Sequence, residues 1–264
     1  MSSNIVLKDC FKTYTLDQDK AFTPEETVAR VNQRLAKARI DVLERTERID
    51  NGRLDIPVYI SVLGADALEV MPTKKQMGKG ATPAQAEASA VMELVERFSL
   101  YHFIKNERFI SGTYDEIGEK AMPFEHLAAA VHHDPDDFDR ARLAMKGLEL
   151  SWTPAFNLTR GREYMAPFNW FFEINEFNGP AAGNSMEEAL VQGMSELVER
   201  HVSALVCRGK LDVPFIDAAS LESPIARELV KKFEAQGIKF YVKDFTLDMG
   251  VPTVGGLAYD PETF

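Results

Sequence analysis

Apolar residues recur at helical spacing in two long stretches of the chain. From about Pro83 to Ile104, Val91, Leu94, Val95 and Phe98 gather on one side, and from about Ser185 to Val206, Leu190, Met194 and Leu197 do the same. An earlier helix is announced by Thr23-Pro24-Glu25-Glu26-Thr27, which offers an N-cap hydroxyl, proline at the first helical position and acids in the first turn. Val28, Val31 and Leu35 follow it at helical spacing. Shorter apolar runs read as strands. Asp41-Val42-Leu43 and Pro57 to Leu63 flank a turn at Asn51-Gly52, and Leu148 to Asn157 precedes Arg162 to Phe168. After a helix from Pro224 to Gln236 come Lys239 to Lys243 and Thr253 to Tyr259. His132-His133-Asp134-Pro135-Asp136-Asp137 reads as a solvated acidic loop ahead of a short helix. Helices and strands mixed in this way predict an α/β (α+β) fold, and the lack of a long Gly/Ser/Pro linker predicts one domain over residues 1–264.

The last predicted strand ends in a turn at Asp260-Pro261-Glu262-Thr263, and Phe264 follows where a partner strand is expected to begin. The chain is therefore expected to lack its C-terminal part and to leave Val254 to Tyr259 unpaired.

Composition narrows the chemistry. With 30 basic and 41 acidic side chains the formal charge is −11, so a nucleic acid or an anionic membrane would be repelled over most of the surface. No basic-then-apolar leader is visible, and no apolar run approaches the roughly 18 residues of a membrane span. The two cysteines, Cys10 and Cys207, have no metal-ligand spacing and read as reduced thiols of a cytoplasmic protein.

The most informative feature is a repeat. Glu-Leu-Val-Glu-Arg occurs at Glu93 to Arg97 and again at Glu196 to Arg200, a spacing of 103 residues that also pairs Gly80 with Gly183, Thr82 with Ser185 and Ala86 with Ala189. Two equivalent helices are predicted, each entered through a glycine and a hydroxyl cap. At ~100° per residue, Ser89, Glu93 and Glu96 fall within roughly 60° of arc, and Glu188, Gln192, Glu196 and Glu199 within roughly 80°. A plain alternative is a solvated acidic face on each helix. Such faces usually interleave lysine with glutamate, whereas positions 81–96 and 184–199 contain no Lys or Arg. If the two strips face one another, their carboxylates suit a hard divalent cation, with Mg²⁺ taking its remaining ligands from water and phosphate. Arg97 and Arg200 close the strips with guanidinium forks suited to phosphate. Gly78-Lys79-Gly80 is not a P-loop, because no glycine stands five residues before Gly78 and Ala81 replaces the hydroxyl. Rossmann, serine-hydrolase and zinc-protease motifs are absent, and no catalytic side chain is assigned.

Ser89-x3-Glu93-x2-Glu96-Arg97 and Asn184-x3-Glu188-x3-Gln192-x3-Glu196-x2-Glu199-Arg200 resemble the two nucleotide-binding signatures of the YcaO family. Gly78-Lys79-Gly80-Ala81-Thr82 and Ala182-Gly183-Asn184-Ser185 resemble its lead-in segments, and the likeness runs from Lys20 to the final strand. The resemblance implies a YcaO-type domain, with two pseudo-symmetric acidic helices flanked by β-sheets, that uses ATP and Mg²⁺ to activate a backbone amide of a peptide or protein. A nucleophile adds to the carbonyl, the oxyanion takes the γ-phosphoryl group, and loss of phosphate leaves an azoline, thioamide or amidine. By the same resemblance Glu93, Glu96, Glu188, Glu196 and Glu199 hold Mg²⁺, and Lys20, Thr27, Ser89, Arg97, Asn184, Gln192 and Arg200 contact or support the nucleotide. A sulfur-transfer or substrate-recognition partner is implied, and a homodimer is expected. The family's further Arg-x3-Glu element and the Pro-rich tail of its azoline-forming members are not found up to Phe264. Two other readings stay open: a divalent-metal phosphatase using the same glutamates, and a non-catalytic ATP-binding accessory protein.

Overall fold

Thr23 caps the first helix, α1 (Pro24–Ala38). Its hydroxyl accepts the Glu26 N–H at 3.2 Å while the Glu26 carboxylate accepts the Thr23 N–H at 3.0 Å, a reciprocal pair set up by the Thr-x-x-Glu spacing. In the computed structural model of the protein, residues 5–13, 20–73, 75–131 and 135–263 are described. The predicted loop residues His132, His133 and Asp134 lie outside them.

After α1 come β1 (Leu43–Arg48), β2 (Val58–Leu63), α2 (Ala65–Val70), β3 (Lys75–Lys79) and the long α3 (Pro83–Asn106). The first strand lies later than the predicted Asp41 to Leu43. Asp41 instead brackets α2: its carboxylate accepts the Ala65 N–H at 3.0 Å, and its own N–H donates to Asp66 at 2.6 Å. β1 reads Leu-Glu-Arg-Thr-Glu-Arg, a charged string with no apolar alternation; it is a strand because it pairs antiparallel with β2. β3 (Lys-Gln-Met-Gly-Lys) carries no strand signal either and pairs with the other side of β2. The sheet order is therefore β1-β2-β3. A core of Val42, Leu63, Ala67, Met71 and Leu94 joins this region to the buried side of α3, with Phe98 and Tyr101 packed against it.

The contacts divide the chain into two compact units, residues 5–7 with Asn106–Phe177, and Lys8–Lys105 with Asn178–Phe264. The first contains β4 (Ile110–Gly112), α4 (Tyr114–Ile117), α5 (Phe124–Ala129), α6 (Phe138–Lys146), β5 (Leu150–Asn157), β6 (Arg162–Pro167) and α7 (Phe168–Asn175). Its strands pair in the order β4-β5-β6. Trp152 is fully buried beside Leu127, Met145 and Leu150, and its indole N–H donates to the Gly112 carbonyl at 2.8 Å.

The second unit resumes with α8 (Met186–Gly209), β7 (Phe215–Ile216), α9 (Pro224–Ala235), β8 (Lys239–Asp244) and β9 (Val254–Tyr259). Phe233 of α9 stacks on Phe240 of β8 with ring centroids 5.0 Å apart. The expectation of an unpaired final strand is wrong. β9 pairs antiparallel with β8 along its whole length, from Asp244↔Val254 to Lys239↔Tyr259. Its partner is the strand that precedes it in the sequence. The apolar side of α8 is largely uncovered: Met194 and Leu197 are exposed and Leu190 is half-buried. Gly193, Val202 and Val206 are buried instead. Periodicity identifies an apolar face but not whether a neighbour covers it. No helix among the described residues is long and apolar enough to cross a membrane.

Candidate functional site

The repeat is real in three dimensions. α3 and α8 are each 24 residues long, and both of their ends obey the spacing of 103: Pro83 with Met186, Asn106 with Gly209. Their first turns match atom by atom. Thr82 Oγ1 accepts the Gln85 N–H at 3.2 Å, and Ser185 Oγ accepts the Glu188 N–H at 3.1 Å. Gln85 Oε1 then reaches back to the Ala81 N–H at 2.8 Å, as Glu188 Oε1 does to the Asn184 N–H at 3.2 Å. The glycine before each cap has one physical reason. A Cβ on Gly80 would come within 2.6 Å of the Ala86 nitrogen, and one on Gly183 within 2.4 Å of the Ala189 nitrogen. Only glycine lets the chain lie this close to the helix it is about to enter.

Both helix starts open on one cavity of about 510 Å³. Lys20, Thr27, Ser89, Asn184 and Gln192 line it, as do Glu93, Glu96 and Glu188. The remaining candidates stand outside its wall. Glu196 accepts the Gly179 N–H at 3.2 Å and pairs with Arg200 at 3.3 Å, Arg97 lies 3.5 Å from Glu96, and Glu199 is exposed on α8. Sequence reasoning missed Phe22, Lys79 and Gln85, which also line the cavity. Gln85 was within reach, because the repeat makes it the counterpart of Glu188. Lys79 sits in a stretch read only as a lead-in, and its position became visible once β3 was found.

Several of these side chains hold one another in place. Asn184 Nδ2 donates to Thr27 Oγ1 at 3.1 Å and to Glu188 Oε1 at 3.2 Å. Thr27 gives its own hydroxyl hydrogen to the Thr23 carbonyl at 2.9 Å, so it acts on the cavity by orienting Asn184. Glu188 also accepts the Ala21 N–H at 3.1 Å through its second oxygen, which ties the segment carrying Lys20 to the start of α8.

Glu96 carries the strongest electrostatic signal. Burial pushes its carboxyl up to about 7; Arg97 opposes the rise, and the charges of Glu196 and Glu93 add to it. The acids of the two helices thus feel each other, with Arg97 beside Glu96 and Arg200 paired to Glu196 offsetting part of the repulsion. Among the described residues no three His, Cys, Asp or Glu side chains form a ready-made metal site. Glu93 and Glu96, both on the cavity wall, are acids of the kind that hold Mg²⁺ in phosphate chemistry, where one or two carboxylates are joined by phosphate oxygens and water.

Comparison with known proteins agrees with this chemistry. The family model described as YcaO cyclodehydratase, ATP- and Mg²⁺-binding, matches residues 77–264. An uncharacterised protein of Methanothermobacter thermautotrophicus is 30% identical over 258 residues, covering 91% of this chain and 61% of that protein. The Escherichia coli ribosomal protein S12 methylthiotransferase accessory factor YcaO is 28% identical over 207 residues, covering 70% of this chain and 35% of its own length. The chain therefore spans between about a third and three fifths of these relatives. A heterocyclase solved in complex with substrate and cofactor superposes with a TM-score of 0.73 at 26% identity, over 97% of this chain and 37% of its own. YcaO from Methanopyrus kandleri, solved with AMPPCP and Mg²⁺, shares the fold with a TM-score of 0.60 at 23% identity, over 94% of this chain and 61% of its own.

Proposed function

The chain belongs to the YcaO family, and on that premise we propose that it binds Mg²⁺-ATP in the cavity at the two helix starts and activates a backbone amide of a peptide or protein substrate. One observation carries this reading. Two equivalent helix starts open on a single cavity that Glu93 and Glu96 line beside Lys20 and Lys79, with burial holding Glu96 at about 7. When bound, Mg²⁺-ATP supplies the phosphoryl group that turns the amide oxygen into a leaving group once a nucleophile has added to the carbonyl carbon.

The chain's own residues supply position and charge, which is most of what phosphoryl transfer needs. Glu93 and Glu96 are the acids placed on the cavity wall to hold Mg²⁺ against phosphate oxygens. Lys20 and Lys79 bring positive charge to the same wall, and Ser89 and Gln192 offer neutral polar groups. Asn184, fixed by Thr27 and Glu188, presents an oriented amide. Glu188, with hydrogen bonds to both oxygens, works chiefly as a bracket. Phe22 offers a flat apolar surface, with the Arg30 guanidinium 4.0 Å from its ring centroid. A peptide or protein substrate, a sulfur-transfer or recognition partner and a homodimer belong to the same reading.

Calorimetry with a non-hydrolysable ATP analogue tests it. Binding is expected only with Mg²⁺, and Glu93→Gln is expected to weaken it at least tenfold; equal affinity after chelation and in the variant would remove the acids from the site. The name of the E. coli relative supports a second reading, an accessory factor that binds nucleotide for a partner enzyme. Phosphate release that depends on added peptide favours the first reading, and nucleotide binding without peptide-dependent release favours the second.

A further inference from the structure

The segment that leads into α8 is packed like its counterpart before α3, yet it lacks that counterpart's partner strand. By the spacing of 103, residues 178–182 are the echo of β3 (Lys75–Lys79). The same two positions meet in both copies. A Cβ on Gly78 of β3 would come within 2.1 Å of the Ala90 nitrogen on α3, and a Cβ on Gly193 of α8 would lie 3.5 Å from the Ala181 Cβ. Position 181 answers to 78 and 193 to 90, so the glycine has moved from the segment to the helix while the contact is kept. β3 pairs along one edge with β2, from Val58↔Lys79 to Val62↔Lys75. Residues 180–183 form no strand, and among the described residues they make no backbone–backbone hydrogen bond.

A second cavity, of about 570 Å³, lies along this segment. The run from Pro180 to Ser185 lines it, and Val95, Leu100 and Phe103 of α3 give it apolar walls. Its volume falls in the range of roughly 300–1,000 Å³ usual for ligand sites, whereas the hollow beside Arg30 and Val31 holds only about 90 Å³. Glu96, Ala182 and Asn184 line both the second cavity and the nucleotide cavity. Amide activation needs such a shared wall, because the carbonyl oxygen must come within bonding reach of the terminal phosphoryl group. A half-buried backbone stretch with no partner strand is also a template for one. In strand addition the main chain supplies affinity whatever the sequence, and apolar walls receive alternate side chains.

We propose that the second cavity is the peptide site: an extended stretch of the substrate pairs with the backbone of residues 180–183, as β2 pairs with β3, and so lays one of its amides against the wall shared with the nucleotide cavity. This rests on the function proposed above, and it names where and how the substrate of that reaction is held. Main-chain pairing suits a reaction whose target is itself a main-chain amide, since it fixes the peptide backbone and leaves the side chains free to vary. Ser99 of α3 offers a way to separate the two cavities. It lines the second and not the first, it is exposed, and its hydroxyl donates to the Val95 carbonyl at 2.7 Å.

The test uses the full chain and two probes, a randomised octapeptide pool and the same pool N-methylated at every residue, which keeps the side chains but donates no main-chain hydrogen bond. In hydrogen exchange, at least one amide among Ala181, Ala182 and Gly183 is expected to exchange about tenfold more slowly with the first pool and at its free rate with the second. Equal slowing by both pools would overturn strand pairing, and no slowing by either would overturn the site. Ser99→Trp, which fills the second cavity from α3, is expected to abolish both the slowing and peptide-dependent phosphate release, with the affinity for the ATP analogue kept. Wild-type release in that variant would overturn the proposal. Should the variant fail to fold, the exchange comparison in the wild type decides. A wild-type chain that binds no nucleotide, or binds it without peptide-dependent release, would overturn the functional reading instead, and exchange with the two pools would still rule for or against peptide pairing at residues 180–183.

Discussion

α3 and α8 share length, cap chemistry and the Glu-Leu-Val-Glu-Arg signature, yet they live in opposite surroundings. Val91 and Leu94 of α3 are completely buried, whereas their counterparts on α8, Met194 and Leu197, are about half exposed. The polar side differs too: Glu96 is largely withdrawn from solvent, and its counterpart Glu199 is exposed. One helix is a core element that happens to carry acids. The other reaches the cavity only through its first turns, up to Gln192. A repeated sequence therefore repeats local structure and the chemistry of the cap, while burial is dealt separately to each copy by what lies next to it.

The largest expected effect breaks this equivalence most sharply. Leu94→Ala removes a side chain from a closed core and is expected to cost roughly 2–5 kcal/mol, against under about 1 kcal/mol for Leu197→Ala, whose side chain is 46% exposed. Chemical denaturation of both variants checks this, and equal losses would mean that the two helices are equally buried.

Next comes the charge trapped on α3. Glu96 holds its proton up to about 7 in the fold against an ordinary 4.5. Between those values the folded state binds more protons than the unfolded state, so stability falls as pH rises through that window and the loss is complete above it. Glu96→Gln should therefore raise stability at pH 8, by at most about 3 kcal/mol, and change little below pH 4. A Glu96→Gln melting curve parallel to wild type across this range would contradict the burial argument. The same variant should lose Mg²⁺-dependent nucleotide binding, so that stability and function move in opposite directions.

The smallest effect sharpens what the helices share. Thr82→Ala and Ser185→Ala each remove one cap acceptor and should each cost about 1 kcal/mol. Matching losses by thermal melting would support the equivalence of the two helix starts, and a difference beyond about 1 kcal/mol would show that tertiary context reaches even the caps.

How much of this was legible in the chain follows the same division. Local chemistry was: the Thr23 cap with its Glu26 partner, the positions of both long helices, and the pairing of Gly80 with Gly183 all depend on interactions within a few residues. The candidate residues on the cavity wall, from Lys20 to Gln192, followed from the spacing of 103 and the family signatures. β1 and β3 were not legible, because strings such as Leu-Glu-Arg-Thr-Glu-Arg have no apolar alternation and become strands only by pairing with β2. The partner of β9 was misjudged for a related reason, since a strand's neighbour is set by where the chain returns and not by which residue comes next.

By itself, then, the sequence determined two equivalent acidic helices, their caps and the kind of ligand their side chains suit, since those depend on spacing along a helix and on side-chain chemistry. Only the tertiary structure decided that Glu93 and Glu96 line the cavity while Glu196 and Glu199 stand back, that Thr27 works through Asn184, and that the Gly179 N–H reaches Glu196 and the Ala21 N–H reaches Glu188. Those facts depend on desolvation and on contacts between segments far apart in the chain, and periodicity along a single helix carries no information about either.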